Sequence, residues 1–598
     1  MNSEFSVAGS YGYDRSSPVR WILSHIWRHR FFAITAVLAM VAHNGLNSMV
    51  QWLIGRAFDR LLEPSPDRDA LISITIALIV IVACRSVLDL GASFLAQITA
   101  QRLERDSREE LYQSLLGKSQ TFHNKQRVGD LMARANNDVR QLTMMIQPGA
   151  ALIIDSFSAL FVPIIFIAFL KWQLLLSPLI FTVIFIVLLR RYMRKMEPVA
   201  ARQRMEFGQM NSVLTESVTG IEVVKSTAQE AQEQAKFLSR ARAYRDAAVR
   251  QGRLEAGYLP TLFVGFAIAG AAVHGLILID RGQLTVGQLV TYLGLMGLLR
   301  FPAYMSIFSF SLIQLGRVSA HRILDLINER TDLDQNTGGH TGRIQGKIEF
   351  ADASFTYGGE PVLEHVSFTV EPGETVALVG ETGSGKSTLT KLVNRIYDVT
   401  DGRVLIDGVD VRDWQLDTLR SQISTIEQDI VLFSRPVAEN IAFSLGQDAP
   451  IEAIRRAARD AQADGFISEM PDGYESVIGE RGVTLSGGQR QRIAIARALL
   501  TDPRILILDD STSAIDSATE DQIQRAIKAI SADRTTLLIT HRLSQIRWAD
   551  KVLVMRHGHV VDFGTHDELL ARCDLYQRIF ARYDDAPDRA AVTIGEAS

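Results

Sequence analysis

The sequence predicts an all-α membrane domain of six crossings followed by an α/β domain built around a phosphate-binding loop. Three observations carry that reading. Formal charges vanish over long stretches of the first half: Phe31 to Gly55, Leu71 to Cys84, Trp172 to Leu189, Ala256 to Ile279, Gln283 to Leu299 and Phe301 to Gly316. No comparable run follows residue 340. In that second half a glycine-rich loop, Gly380 to Ser387, separates an apolar run from a helix-forming segment.

The composition agrees. The chain has 598 residues, 47% of them hydrophobic, and its 63 basic and 67 acidic side chains leave a net charge of −4. That balance gives no whole-chain attraction to a polyanion, which argues against nucleic acid as a partner. A mean hydropathy of +0.09 averages two unlike halves. Two cysteines, Cys84 and Cys573, cannot make a disulfide framework or a four-cysteine zinc site.

Taken in order, residues 1–20 form a polar N-terminal segment lacking the apolar core and cleavage site of a signal peptide. Crossings follow near 31–55, 70–96, 148–170, 172–191, 258–279 and 287–309, close to the roughly 20 apolar helical residues a bilayer requires. Arg28 and Arg30 precede the first; Arg102, Arg105 and Arg108 follow the second; Arg190, Arg191, Arg194 and Lys195 follow the fourth. The opposite loops carry little beyond Arg68, Lys171 and Arg281. The positive-inside rule then places both termini in the cytoplasm of a multi-pass inner-membrane protein.

Residues 97–147 and 192–256 are charged yet keep helical periodicity, as in Leu103, Leu111, Leu115 and Leu116. Crossings two to five are therefore expected to continue as helices into the cytoplasm, joined by transverse coupling turns near 115–130 and 210–225. This divides the chain into a membrane domain over 21–325, a linker at 326–340, a soluble domain over 341–583 and a tail at 584–598. The tail's composition predicts disorder.

Several polar side chains interrupt the crossings. His43, Asn47 and Gln51 recur every four residues and share one helix face, with Asn44 beside them; with Arg300 they are candidates to line a cavity. Arg85 and Asp89 have the spacing of a local ion pair, and Asp155 interrupts the third crossing. His274 has no visible partner and reads as a core histidine.

The chemistry lies in the second half. Gly380-Glu381-Thr382-Gly383-Ser384-Gly385-Lys386-Ser387 follows the apolar run Thr375 to Val379 and precedes a helical segment that begins at Thr388. Its glycines let backbone N–H groups converge on phosphate oxygens at a helix N-terminus, where the dipole also favours negative charge. Lys386 would reach the β- and γ-phosphates and Ser387 would ligate Mg²⁺. Arg504-Ile-Leu-Ile-Leu-Asp509 reads as a buried strand ending in a second Mg²⁺-coordinating carboxylate. Between them, Leu485-Ser486-Gly487-Gly488-Gln489 opens an amphipathic helix with a good N-cap and exposed backbone donors.

These motifs, in this order, resemble those of an ABC transporter: a P-loop NTPase domain of the ABC type over about 340–580, behind an export-type six-helix membrane domain over about 20–325. The resemblance implies roles for further residues. Tyr357 would stack on adenine, Gln428 would sense Mg²⁺ and the membrane domain, and His541 would contact the γ-phosphate. Ser476-Val-Ile-Gly-Glu-Arg-Gly482 resembles the exporter segment that touches the coupling helices, and Asp516 lies in the dimer-contacting loop. It implies that Leu485 to Gln489 complete the ATP site of a second chain. A single six-helix half with one nucleotide domain is then a half-transporter that dimerises. It would export small amphipathic molecules (drugs, lipids or peptides) on binding and hydrolysing ATP with Mg²⁺.

One residue departs from the family pattern. Where the family places the glutamate that polarises the attacking water, this chain has Asp510. The shorter side chain withdraws its carboxylate by roughly 1 Å, a misplacement that costs on the order of 10²-fold in rate. In the family such a change accompanies heterodimers with one slow and one competent site, so a heterodimer is expected ahead of a slow homodimer. An importer, or an ATP-gated regulatory protein on the same scaffold, is the remaining alternative.

Overall fold

The computed structural model describes residues 3–5, 9, 11–257, 259–446, 449–479, 482, 485–509 and 517–584. Two compact units divide the chain. One consists of Gly9–Tyr112 and Gly129–Glu329; the other begins at Arg330 and also takes in Gln113–Val128 and the N-terminal residues.

The first unit is helical. Pro18–Arg28 (α1) starts from an extended Ser17 whose side chain accepts from the Arg20 N–H, with Pro18 in the first turn where its missing N–H costs nothing. Among the described residues, six helices are long and apolar enough to cross a membrane: Arg30–Leu61 (α2), Arg68–Leu116 (α3), Val128–Leu170 (α5), Trp172–Thr219 (α6), Leu259–Asp280 (α9) and Val286–Asn328 (α10). Ile221–Ser226 (α7) and Glu230–Ala256 (α8) lie between α6 and α9, and Gln120–Lys125 (α4), between α3 and α5 in sequence, belongs to the second unit. At about 1.5 Å per residue, the 49 residues of α3 extend ~74 Å, more than twice the hydrocarbon thickness. Helix α5 leaves helical geometry at Gln147, beside Pro148.

Apolar side chains from α5, α6, α9 and α10, among them Ile167, Phe181, Leu278 and Leu295, form the core of this unit. Tyr292 is fully buried in it and donates its hydroxyl hydrogen to the Leu174 carbonyl at 3.1 Å. Helices α2 and α10 approach closely because both are bare at the crossing. A Cβ on Gly287 would lie 2.0 Å from the Gly55 carbonyl oxygen, and one on Gly55 would lie 2.3 Å from the Gly287 oxygen.

The second unit carries two sheets. Ile348–Thr356 (β1), Pro361–Val370 (β2), Asp401–Ile406 (β4) and Val409–Asp410 (β5) form an antiparallel sheet in the order β2-β1-β4-β5. Thr375–Gly380 (β3), Ile423–Ile426 (β6), Ile505–Asp509 (β7), Thr535–Ile539 (β8), Lys551–Arg556 (β9) and His559–Gly564 (β10) form the other, ordered β10-β9-β3-β8-β7-β6. Strands β3, β6, β7, β8 and β9 run parallel, and β10 closes the edge antiparallel to β9. Every residue of β3, β7 and β8 is buried, as continuous apolar runs covered on both faces require. One core packs Phe350 and Val404 of the antiparallel sheet against Val376, Leu378 and Leu389. A second packs Ile454, Ile493 and Ile495 against Leu506 and Leu508.

Candidate nucleotide-binding site

Parallel pairing sets the site. Leu378 of β3 and Asp509 of β7 both face Ile539 of β8 in register, so the three strands end level. The chain leaves β3 through the glycine-rich loop and enters Lys386–Val393 (α11). Gly380 and Gly385 are required there: their φ values are +155° and +98°, and a Cβ would lie 2.2 Å from the Met555 carbonyl and 3.0 Å from the Val362 carbonyl.

The loop walls a cleft of about 410 Å³. Thr382, Gly383, Ser384, Gly385, Lys386, Ser387 and Thr388 line one side, and Gln428, Asp509 and His541 line the other. Lys386 is buried to 7% exposure, and its ammonium donates to the Gly380 carbonyl at 2.8 Å, the Glu381 carbonyl at 2.9 Å and Ser384 Oγ at 3.3 Å. A cation is thereby held within a glycine-rich loop at a helix N-terminus, a setting that suits a phosphate chain. Tyr357 stands beside α11: its hydroxyl is 3.2 Å from Thr388 Oγ1, and it is half exposed.

Two elements of the neighbourhood were not singled out from sequence. Glu427, just past the end of β6, has its carboxyl pushed above the usual range by burial and by the charges of Asp509 and Asp429, against the pull of Lys391. Its place at the carboxyl end of a strand next to β7 was the available signal. The other is Tyr397. Its ring meets Tyr357 edge-on with centroids 5.2 Å apart, and its hydroxyl accepts from Asn124 Nδ2 of α4 at 2.7 Å.

Leu485, Ser486, Gly487, Gly488 and Gln489 do not line this cleft. They open Gly487–Leu500 (α12), where Ser486 Oγ accepts from the Gln489 N–H at 3.2 Å and Gln489 Oε1 accepts from the Ser486 N–H at 2.9 Å. Asp510 and Asp516 lie outside the described residues, as do Glu480 and Arg481.

Known proteins match over the whole of this architecture. Residues 33–303 match the family model described as ABC transporter transmembrane region, and residues 363–513 match the one described as ABC transporter. An ATP-dependent lipid A-core flippase of Pseudomonas fluorescens is 38% identical over 500 residues, 83% of each chain. A Staphylococcus aureus chain named for multidrug export is 35% identical over 567 residues, 93% of this chain and 97% of that one. The structure of a bacterial Atm1-family ABC exporter with ATP bound superimposes with a TM-score of 0.80 at 28% identity, covering 94% of this chain and 99% of that one. The chain is an ABC half-transporter of the export type. It is an ATP-hydrolysing, multi-pass membrane protein.

The polar residues of the exporter's membrane unit divide. His43 and Asn47 meet α3: Asn47 Oδ1 accepts from Arg85 Nη1 at 2.9 Å, and His43 Nδ1 is 3.4 Å from the Arg85 carbonyl. Arg85 thus turns to Asn47, while Asp89 lies 4.0 Å from His43. Gln51 stands apart, packed on the bare Gly294 of α10. Arg300 is exposed, and among the described residues no hydrogen bond or ion pair joins it to any of them. His274 Nδ1 is buried without a hydrogen-bond partner among the described residues.

Proposed function

We propose that this chain exports small amphipathic molecules, lipids or drugs, across the inner membrane as one half of a two-chain ATP-driven transporter with both termini in the cytoplasm. The observation that carries the reading is the separation of the phosphate-loop cleft from the signature helix within one chain. Each ATP would be gripped by the loop of one chain and by Ser486, Gly487 and Gly488 of the other, so binding two nucleotides draws two chains together.

Ser387, Gln428 and Asp509 present hydroxyl, amide and carboxylate oxygens to one cleft, a donor set that suits Mg²⁺. The ion, when bound, would neutralise charge on the phosphate oxygens. The chain's own residues do the rest. Lys386 and the loop N–H groups would hold and orient the phosphates, and His541, which lines the same cleft, would contact the terminal one. Tyr357 carries the base, and Asp510, next after β7, orients the attacking water.

Asp510 also supports a finer reading: this chain's own site is slow, and the chain works in a heterodimer whose competent site its intact signature completes. In proteoliposomes, ATP-dependent movement of a labelled lipid or dye in one direction tests the exporter reading, and its absence would refute it. Asp510→Glu is expected to raise ATPase activity by up to about 10²-fold. Brisk, substrate-stimulated hydrolysis by the purified chain alone would overturn the heterodimer.

A further inference from the structure

Ser3, Glu4 and Phe5 belong to the nucleotide unit, although the chain enters the membrane unit at Gly9. They lie across separate parts of the nucleotide unit and tie them together. The Glu4 N–H donates at 2.9 Å to the carbonyl of Gly117, the residue that follows α3, and Ser3 Oγ donates to the same carbonyl at 3.2 Å. The Ser3 carbonyl accepts from the Gln335 N–H at 3.0 Å. Glu4 Oε2 pairs with Arg420 Nη1 at 2.8 Å. Gly117 is bare where this strap crosses it: a Cβ there would collide with Ser3 Oγ and lie 2.8 Å from the Phe5 carbonyl oxygen.

Arg420 carries the link onward. Its Nη2 donates to the Arg395 carbonyl at 2.7 Å and its Nε to the Asn394 carbonyl at 3.3 Å. Asn394 is the C-cap of α11, the helix whose first residue is Lys386. A guanidinium at that end satisfies carbonyls the helix leaves open and answers its dipole. With 8 residues in α11, only ~12 Å of helix separates this cap from the phosphate loop. One oxygen of the strap's carboxylate is left over. The Glu4 side chain is 13% exposed, and Oε1 is buried without a hydrogen-bond partner among the described residues. An idle buried acceptor works against cohesion, so Glu4 is a poor brace that nonetheless reaches Arg420 with its charge.

We propose that Glu4 is a positioning residue for the ATP-driven cycle, tying Gly117 at the end of α3, through Arg420, to the C-terminal end of the phosphate-loop helix. Phosphates drawn to the N-terminus of α11 shift that helix, and the shift passes by way of Arg420 and Glu4 to Gly117. From Gly117 the chain runs directly into α4. Such coupling is reciprocal, so a displacement of α4 changes nucleotide affinity by the same factor. The proposal goes beyond the exporter reading and needs only that the loop binds ATP.

The test uses the full-length chain, assembled with whatever partner it requires, in proteoliposomes. Hydrogen exchange over Gln120–Lys125, with and without a non-hydrolysed ATP analogue, reads the link without any cargo. Glu4→Gln is expected to shrink the nucleotide-induced change there about threefold or more, with ATP affinity and melting temperature held. Gly117→Ala, which pushes Ser3 away, should do the same, and the double variant should add little. Movement of a fluorescent phospholipid per ATP hydrolysed should fall in parallel. An undiminished exchange response in Glu4→Gln would overturn the proposal. So would a loss matched by an equal fall in melting temperature or in ATP affinity, because the strap would then be structural only. If the unaltered protein moves no phospholipid, the exporter reading suffers, and the exchange measurement still decides the role of Glu4.

Discussion

Helix α3 carries acidic residues at two depths, with opposite surroundings. In its membrane part, Asp89 faces outward, and none of the apolar window of this helix is buried within the chain. About five turns further on, Asp106 and Glu110 are buried to 2% and 6% and crowded with donors. Arg15 Nε is 2.7 Å from Glu110, Trp21 Nε1 donates to it at 2.8 Å, and His25 Nε2 is 3.3 Å away. His29 is 2.8 Å from Asp106, Arg105 is 2.7 Å from it, and Arg28 is 3.2 Å from it. These groups fasten α1 to α3. A carboxylate with this many partners is a structural clasp, whereas Asp89 has His43 beside it, no nearer than 4.0 Å, and an exposed side chain.

The largest effect should come from breaking the clasp. Glu110→Ala leaves Trp21 and Arg15 without their common acceptor, and His25 without the carboxylate beside it, and is expected to destabilise the membrane unit by about 3–5 kcal/mol. Asp89→Asn leaves no buried charge behind and is expected to change stability by less than about 1 kcal/mol. Thermal melting of the two variants in the same lipid checks the contrast. Equal shifts would erase the distinction between the two depths.

Acid should act on the same clasp with a definite sign. Burial alone would raise both carboxyls. Hydrogen bonds from His29 and Arg105 to Asp106, and the nearby His25 with the hydrogen bond from Trp21 at Glu110, together with the charges of Arg28 and Arg15, override it and hold both below the ordinary carboxylate range. Because the folded values are depressed, the stabilisation is fully present above the unfolded values of about 3.9 and 4.3 and is lost as pH falls through the folded ones. Hydrogen exchange over Pro18–Arg28 should therefore stay slow from pH 7 to about 5, after allowance for the intrinsic rate, and quicken only below about 4. Glu110→Gln should remove part of that acid limb. Protection lost between pH 7 and 5 would assign the clasp to other groups.

The contrast also separates what the sequence discloses from what only the fold can. The phosphate loop is readable because its chemistry is made by backbone: Gly380 and Gly385 must be glycine for the chain to pass Met555 and Val362, so residue type and geometry are the same information. Charge-free stretches betray crossings for a similar reason, since length and polarity alone decide them. Intramembrane partners are different. Arg85 and Asp89 have ideal spacing for a pair on one helix, yet Asn47 and His43 on α2 take them apart. Apart from the adjacent Arg105, the partners of Asp106 and Glu110 lie more than seventy residues away in sequence, beyond any local pattern.

The smallest effect tests a link with no charge in it. Within the nucleotide unit, Tyr397 touches the base-stacking candidate Tyr357 edge-on and accepts a hydrogen bond from Asn124 of α4, the turn that joins two membrane helices. Tyr397→Phe keeps the ring and its aromatic contacts and deletes one neutral hydrogen bond, worth about 1 kcal/mol. If α4 receives nucleotide occupancy through that bond, ATP affinity should hold while transport per ATP hydrolysed falls by about two- to fivefold, the range that free energy allows. Asn124→Ala should reproduce the loss, and the double variant should add nothing to it, because both remove the same bond. Independent, additive losses would mean that Tyr397 and Asn124 contribute to stability only. Unchanged coupling in both would leave Asp106 and Glu110 as the sharper example of how α3 is tied down, by charge rather than by a single hydroxyl.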